Sequence, residues 1–170
     1  MMRAFTRALT VCLAAVIVAG CGWQLRGAGM EGLSGRAVAV TAPNGLSTLE
    51  RVVRRELNAL GGRMVAEGAG EQSLELVSEN QNRRVLAKDD RGRAEEYELT
   101  YRLSYRIGTP GSDTPPRSMV ATTDGTYRAD GNDALAEQSR RNRLVESLRV
   151  EAVRLMLARL AAASPEQGQP

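Results

Sequence analysis

The most distinctive chemical group in this 170-residue chain is the thiol of Cys21, set in the stretch VAGCGWQLRG. A cysteine can act as a nucleophile, a metal ligand, half of a disulfide or a lipid attachment point. Its only possible partner, Cys12, lies inside an apolar run. A second concentration of chemistry is cationic: Arg83, Arg84, Lys88, Arg91 and Arg93 cluster around the turn-like Asp89-Asp90-Arg91-Gly92. Guanidinium and ammonium groups brought together this way suit recognition of phosphate or carboxylate. The same charges also solubilise a hairpin and block edge-to-edge pairing, and Asp89, Asp90, Glu95 and Glu96 weaken the net field there. Catalytic groups are otherwise scarce. The chain has no histidine, the commonest general base, no Gly-x-Ser-x-Gly and no phosphate-binding glycine loop. Asp130, Asn132 and Asp133 resemble the start of a calcium loop, but the glycine at its sixth position and the closing glutamate are missing. Helix capping explains these residues better, and neither enzyme activity nor a metal centre is expected.

The residues before Cys21 decide its role. MMRAFTR carries Arg3 and Arg7 and no acid, and ALTVCLAAVIVAG follows without a charge. A basic start, a short apolar run and a small-residue end form a secretory signal, and the run is short of the ~20 residues a permanent span requires. Val18-Ala19-Gly20-Cys21 matches a bacterial lipobox, an aliphatic residue and two small ones before the cysteine to be acylated. Residues 1–20 are therefore read as a lipoprotein signal peptide, and Cys21 as the lipidated first residue of the mature chain. Cleavage there removes Cys12, so no internal disulfide is expected. Gly22 in place of an aspartate favours the outer membrane, and several acyl chains on one residue anchor stably where one does not. No cofactor is expected beyond this covalent lipid.

Removing the leader also removes Arg3 and Arg7, leaving 21 basic against 20 acidic residues. That near-neutral balance, with only one Phe and one Trp in the whole chain and the Phe lost with the leader, excludes a nucleic-acid binder. Residues 21–35 are glycine-rich and read as a lipidated tether, residues 36–163 as one domain, and residues 164–170 as a disordered tail. Within the domain, 36–41 forms a first strand. A helix over 49–60 opens on a Ser47-to-Glu50 capping box and stops at Gly61-Gly62. A strand over 73–78 continues to Val85 and Leu86, and a turn at 89–92 leads into the clearest strand, 97–107. There Tyr97, Leu99, Tyr101, Leu103, Tyr105 and Ile107 alternate with Glu98, Thr100, Arg102, Ser104 and Arg106, so one face is covered and one polar. A last strand spans 118–127, and a helix runs from 134 to 163 with Leu144, Val145, Leu148, Ala152, Leu155, Met156 and Leu160 as its stripe. The expected fold class is α+β: two α-helices packed on one face of a four-stranded mixed β-sheet, order β-α-β-β-β-α.

The lipobox followed by Gly22-Trp23-Gln24-Leu25-Arg26-Gly27 resembles the opening of LPS-assembly lipoproteins of the LptE family. The glycine-terminated first helix, the Ala94-Glu95-Glu96-Tyr97-Glu98-Leu99 entry to the central strand and Ala134-Leu135-Ala136 near the start of the last helix follow in the same order. The resemblance implies an outer-membrane lipoprotein held on the periplasmic side and within the lumen of an LptD-like β-barrel. Such a protein plugs the barrel, assists its assembly and takes part in delivering lipopolysaccharide to the outer leaflet. The partners implied are that barrel, lipopolysaccharide, and the membrane through the lipid anchor. A porin-like lumen is polar, which suits a plug with a polar surface. On this reading Arg83, Arg84, Lys88, Arg91 and Arg93 are the candidate lipopolysaccharide contacts, with Arg102 and Arg106 a second set on the sheet. Two alternatives are a lipoprotein scaffold for another envelope partner and a small periplasmic lipid carrier, which would need a sizeable apolar cavity.

Overall fold

A computed structural model of the chain describes residues 33–43, 45–129 and 133–163. Cys21, the leader, most of the tether and the tail lie outside the described residues. The elements are β1 (Ala37–Thr41), α1 (Ser47–Ala59), β2 (Arg63–Val65), β3 (Gln72–Lys88), β4 (Ala94–Gly108), β5 (Arg117–Arg128) and α2 (Ala134–Ala162). They form one mixed sheet of order β2-β1-β3-β4-β5, in which β1 runs parallel to both β2 and β3 while β3, β4 and β5 are antiparallel. The sheet therefore has five strands rather than the four expected. Strand β2 escaped the sequence reading because three residues between Gly62 and a turn are too few to show a period. They become a strand only by pairing with Ala37–Ala39.

The α+β layering is as expected. Leu99, Tyr101, Leu103, Tyr105 and Ile107 of β4 are buried under the helices, joined by Leu74 and Leu76 of β3 and Ala121 of β5. From α1 come Leu49, Val52, Val53 and Leu57, and from α2 Leu148, Ala152, Val153, Met156, Leu157 and Leu160. Leu155, counted in the sequence stripe, is instead exposed. Val153 and Leu157 fall a little to one side of it on the helix and are buried instead. Leu33 also lies in this core, although the sequence assigned it to the tether.

The ends of the helices differ from the sequence reading in one respect. The capping box does not form: Leu46 is the N-cap of α1 with no side-chain cap, and Glu50 bonds Arg54 at 2.9 Å instead. A turn in which the Leu46 N–H meets the Pro43 carbonyl starts the helix one residue early, drawing Ser47 inside it. Gly61, at φ +77°, ends α1 as expected. At α2, Asp133 Oδ1 accepts from the Ala136 N–H at 2.8 Å. The other end of α2 is closed by Gln72, a buried side chain of β3 whose amide donates to the carbonyls of Leu160 (3.2 Å) and Ala163 (2.8 Å).

Candidate functional site

The five cations named from sequence sit on the β3–β4 hairpin, and a single extra residue decides how they are shared out. Up to Leu76, β3 places even-numbered residues under the helices, with Leu74 opposite Ile107 and Leu76 opposite Tyr105. At Val77 the register slips, and Ser78 then faces Ser104. This β-bulge reverses the phase, so odd residues turn to the helix side: Glu79 opposite Leu103, Gln81 opposite Tyr101 and Arg83 opposite Leu99. Adjacent Arg83 and Arg84 therefore point to opposite faces of the sheet.

On the helix side, the Arg83 guanidinium stacks 4.3 Å from the centre of the Tyr97 ring, and Tyr97 in turn stacks on Tyr127. Its Nη1 donates to the Tyr127 hydroxyl at 3.3 Å and stands 3.8 Å from Glu137 of α2. On the open side, Arg84 forms a forked pair with Glu98, which holds that carboxyl below its ordinary range. At the tip, the Asp89 carboxylate accepts the backbone N–H of Arg93 at 2.8 Å and of Arg91 at 3.0 Å, and the Arg93 Nε at 2.8 Å. The backbone bond from Arg93 is the main cause of its lowered pKa, with the Arg93 side chain and the Arg91 N–H adding to it. Gly92, at φ +77°, makes this turn with no side-chain penalty.

The predicted cluster is thus one region of the fold but not one site. Arg83 is packed against aromatics, while Arg84 and Arg93 are neutralised. Lys88 and Arg91 are exposed with no ion pair among the described residues. On the same strand just before Lys88, the bulge near Ala87 leaves Leu86 47% exposed and Val85 44%. In the second set, Arg106 forks onto Glu75 at 2.9 and 3.0 Å, beside a cleft of about 350 Å³. Arg102 is exposed on the open face, with no ion pair among the described residues.

Two features went unread in the sequence. Behind the Val77 bulge, Glu79 accepts from the Tyr101 hydroxyl and from Arg149 Nε at 3.1 Å, and Arg149 also binds Glu146 at 2.6 Å. Burial and the bond to Glu79 both push the Tyr101 hydroxyl pKa well up. This network fills what an uninterrupted apolar strand would have filled. Separately, Arg141 of α2 has a buried Nε with no hydrogen-bond partner among the described residues. Its signal was available: Arg141 falls in phase with Leu144, Val145 and Leu148, a base at an apolar position.

A family model described as "LptE: Lipopolysaccharide-assembly" matches residues 35–160. The chain is 26% identical over 161 residues to a protein named LPS-assembly lipoprotein LptE from Photorhabdus laumondii, covering 94% of this chain and 87% of that one. A protein of the same name from Pectobacterium atrosepticum is 25% identical over 167 residues, covering 97% and 89%. Among solved structures, rare lipoprotein B from Shewanella oneidensis superposes with a TM-score of 0.65 at 24% identity, covering 74% of this chain and 94% of that one. An uncharacterized lipoprotein B from Nitrosomonas europaea does so at 0.61 and 23%, covering 83% and 91%. These two likenesses bear on the fold.

Proposed function

The chain belongs to the LptE family of lipopolysaccharide-assembly proteins, and from that premise we propose that it is the lipid-anchored plug of an LptD-like outer-membrane barrel. Its general role is in lipopolysaccharide transport, and it is not an enzyme. In the finer reading, Cys21 carries the acyl chains that hold the protein to the periplasmic side of the outer membrane. The folded domain occupies the barrel lumen, assists barrel assembly and helps lipopolysaccharide reach the outer leaflet.

The observation that carries the ligand half of this reading is the tip of the β3–β4 hairpin. Lys88 and Arg91 remain unneutralised there, and Val85 and Leu86 are exposed on the same strand just before Lys88. Lipopolysaccharide offers phosphates next to acyl chains, and a cationic tip on a hairpin that also exposes apolar side chains matches both parts. Arg83, Arg84 and Arg93 support the site by shaping it, since their own charges are engaged.

Extraction of the full-length chain from a Gram-negative outer membrane in mild detergent, followed by mass spectrometry, tests the barrel assignment. A near-stoichiometric barrel protein is expected; a chain that emerges alone even after crosslinking refutes the plug. Charge reversal at Arg84, Lys88 and Arg91 together is expected to weaken lipopolysaccharide binding by the purified protein. Unchanged binding removes the hairpin from the site. Intact-mass measurement of the membrane form, with Cys21→Ala as control, decides the lipid attachment.

A further inference from the structure

The two halves of α2 are held to the sheet by different physics. Every buried residue of this helix lies from Leu148 onward. Thr123 donates to the Leu148 carbonyl at 3.0 Å. Gly125 lets the helix sit low at Leu144, where a Cβ on the strand would stand 2.9 Å from the leucine Cδ1. Residues 134–143 bury no apolar side chain fully, and Leu135 is 75% exposed. Their contacts with the sheet include the 3.8 Å approach of Arg83 to Glu137 and a 3.3 Å bond from Arg140 Nε to the Arg128 carbonyl. Arg141 adds a buried guanidinium nitrogen with no acceptor among the described residues, an unfavourable arrangement for any charged donor. Segments with few buried apolar contacts open at much lower free energy than the core they border.

We propose that residues 134–143 are a strap that opens from the sheet about Leu144, and that its closed position offsets the charge of Arg83 with Glu137 and keeps the Arg141 Nε from ligand. Closed, Glu137 faces Arg83 and the Arg141 Nε is shut away from solvent. Open, the strap takes the Glu137 carboxylate away from the half-exposed Arg83 and frees the Arg141 Nε, adding positive charge to that of Lys88 and Arg91. The strap thereby regulates how much positive charge is presented to an anionic lipid. This regulatory role rests on the hairpin reading above; the motion itself does not.

Hydrogen exchange read by mass spectrometry on the full-length chain in detergent tests the motion. Peptides covering 134–143 are expected to exchange at least roughly tenfold faster than those covering 148–160. Arg141→Leu keeps helix propensity and removes the orphaned donor, so it is expected to slow exchange in 134–143 by roughly tenfold without changing 148–160. Equal rates in the two halves of the wild-type helix, or faster strap exchange in Arg141→Leu, overturn the strap. Titration with purified lipopolysaccharide in the same detergent tests the regulation: Glu137→Gln is expected to bind several-fold more tightly than wild type, and Arg141→Leu several-fold more weakly. Identical affinities for all three proteins overturn the gating. Fast strap exchange in a wild-type protein that binds no lipopolysaccharide upholds the motion and overturns the hairpin reading with its gating.

Discussion

Replacing Lys88 and Arg91 together by alanine separates charges that are free to bind from charges that are already spent on partners. Neither side chain has an ion pair among the described residues, and both are exposed. Their removal strands no carboxylate, so stability is expected to change by less than about 0.5 kcal/mol. A cation near an anionic lipid surface contributes about 1 kcal/mol, and two of them about 2 kcal/mol, or roughly a thirtyfold loss of affinity. The informative comparison is Arg84→Ala with Glu98→Ala. That pair is neutral as a whole, because the Arg84 fork keeps the Glu98 carboxyl ionised below its ordinary range. Deleting both partners leaves the net charge of the hairpin unchanged and is expected to cost less than about threefold. The assay is titration of purified lipopolysaccharide into the full-length chain in neutral detergent, with thermal melts as a folding control. Raising the ionic strength should shrink the Lys88/Arg91 effect, since exposed charges are screened over about 10 Å at 0.1 M salt. The reasoning is refuted if deleting the neutral pair costs as much as deleting the two free cations, or if the latter costs less than about threefold.

Three further outcomes concern the scaffold. Tyr101→Phe removes the hydroxyl that donates to Glu79 behind the Val77 bulge and is expected to cost about 1–2 kcal/mol in urea unfolding, with the binding site intact. Gln72→Leu leaves the Leu160 and Ala163 carbonyls without their buried donor; a loss of about 1–3 kcal/mol and earlier exchange of the last turn of α2 are expected. Glu56 of α1 is disfavoured as an anion by burial, but its bonds from Arg154 and Arg55 outweigh this and lower its pKa below 4.5. A folded-state pKa depressed in this way contributes stability above the unfolded value and loses it as pH falls through the folded one. Thermal melts should therefore decline on acidification below about pH 4.5, and Glu56→Gln should be less stable at neutral pH with a shallower acid slope.

Much of this architecture was written in local patterns. The strict alternation from Tyr97 to Ile107 specified a strand with one buried face, since a pleat puts successive side chains on opposite sides whatever surrounds it. The glycine pair after α1 and the aspartate before α2 set helix ends through backbone groups a few residues away. The lead-in motif and the order of elements likewise pointed to the lipopolysaccharide-assembly family. All of these are short-range properties, legible because their causes lie within one turn or one strand.

What the chain could not reveal alone were relations between elements. Strand β2 exists only because Ala37–Ala39 offers an edge to Arg63–Val65. The capping box at Ser47 yielded to a turn at Pro43 and to Arg54, which took Glu50. Above all, the five basic residues of the hairpin read as one cluster in sequence, yet a single bulge at Val77 sent Arg83 to the helix side and Arg84 to the open face. Which cations stayed free was then settled by where Glu98, Asp89 and Glu137 arrived in space. Residue types fixed the charges themselves, but charge acts through distance, and distance between elements is set only when the sheet and its helices close on one another.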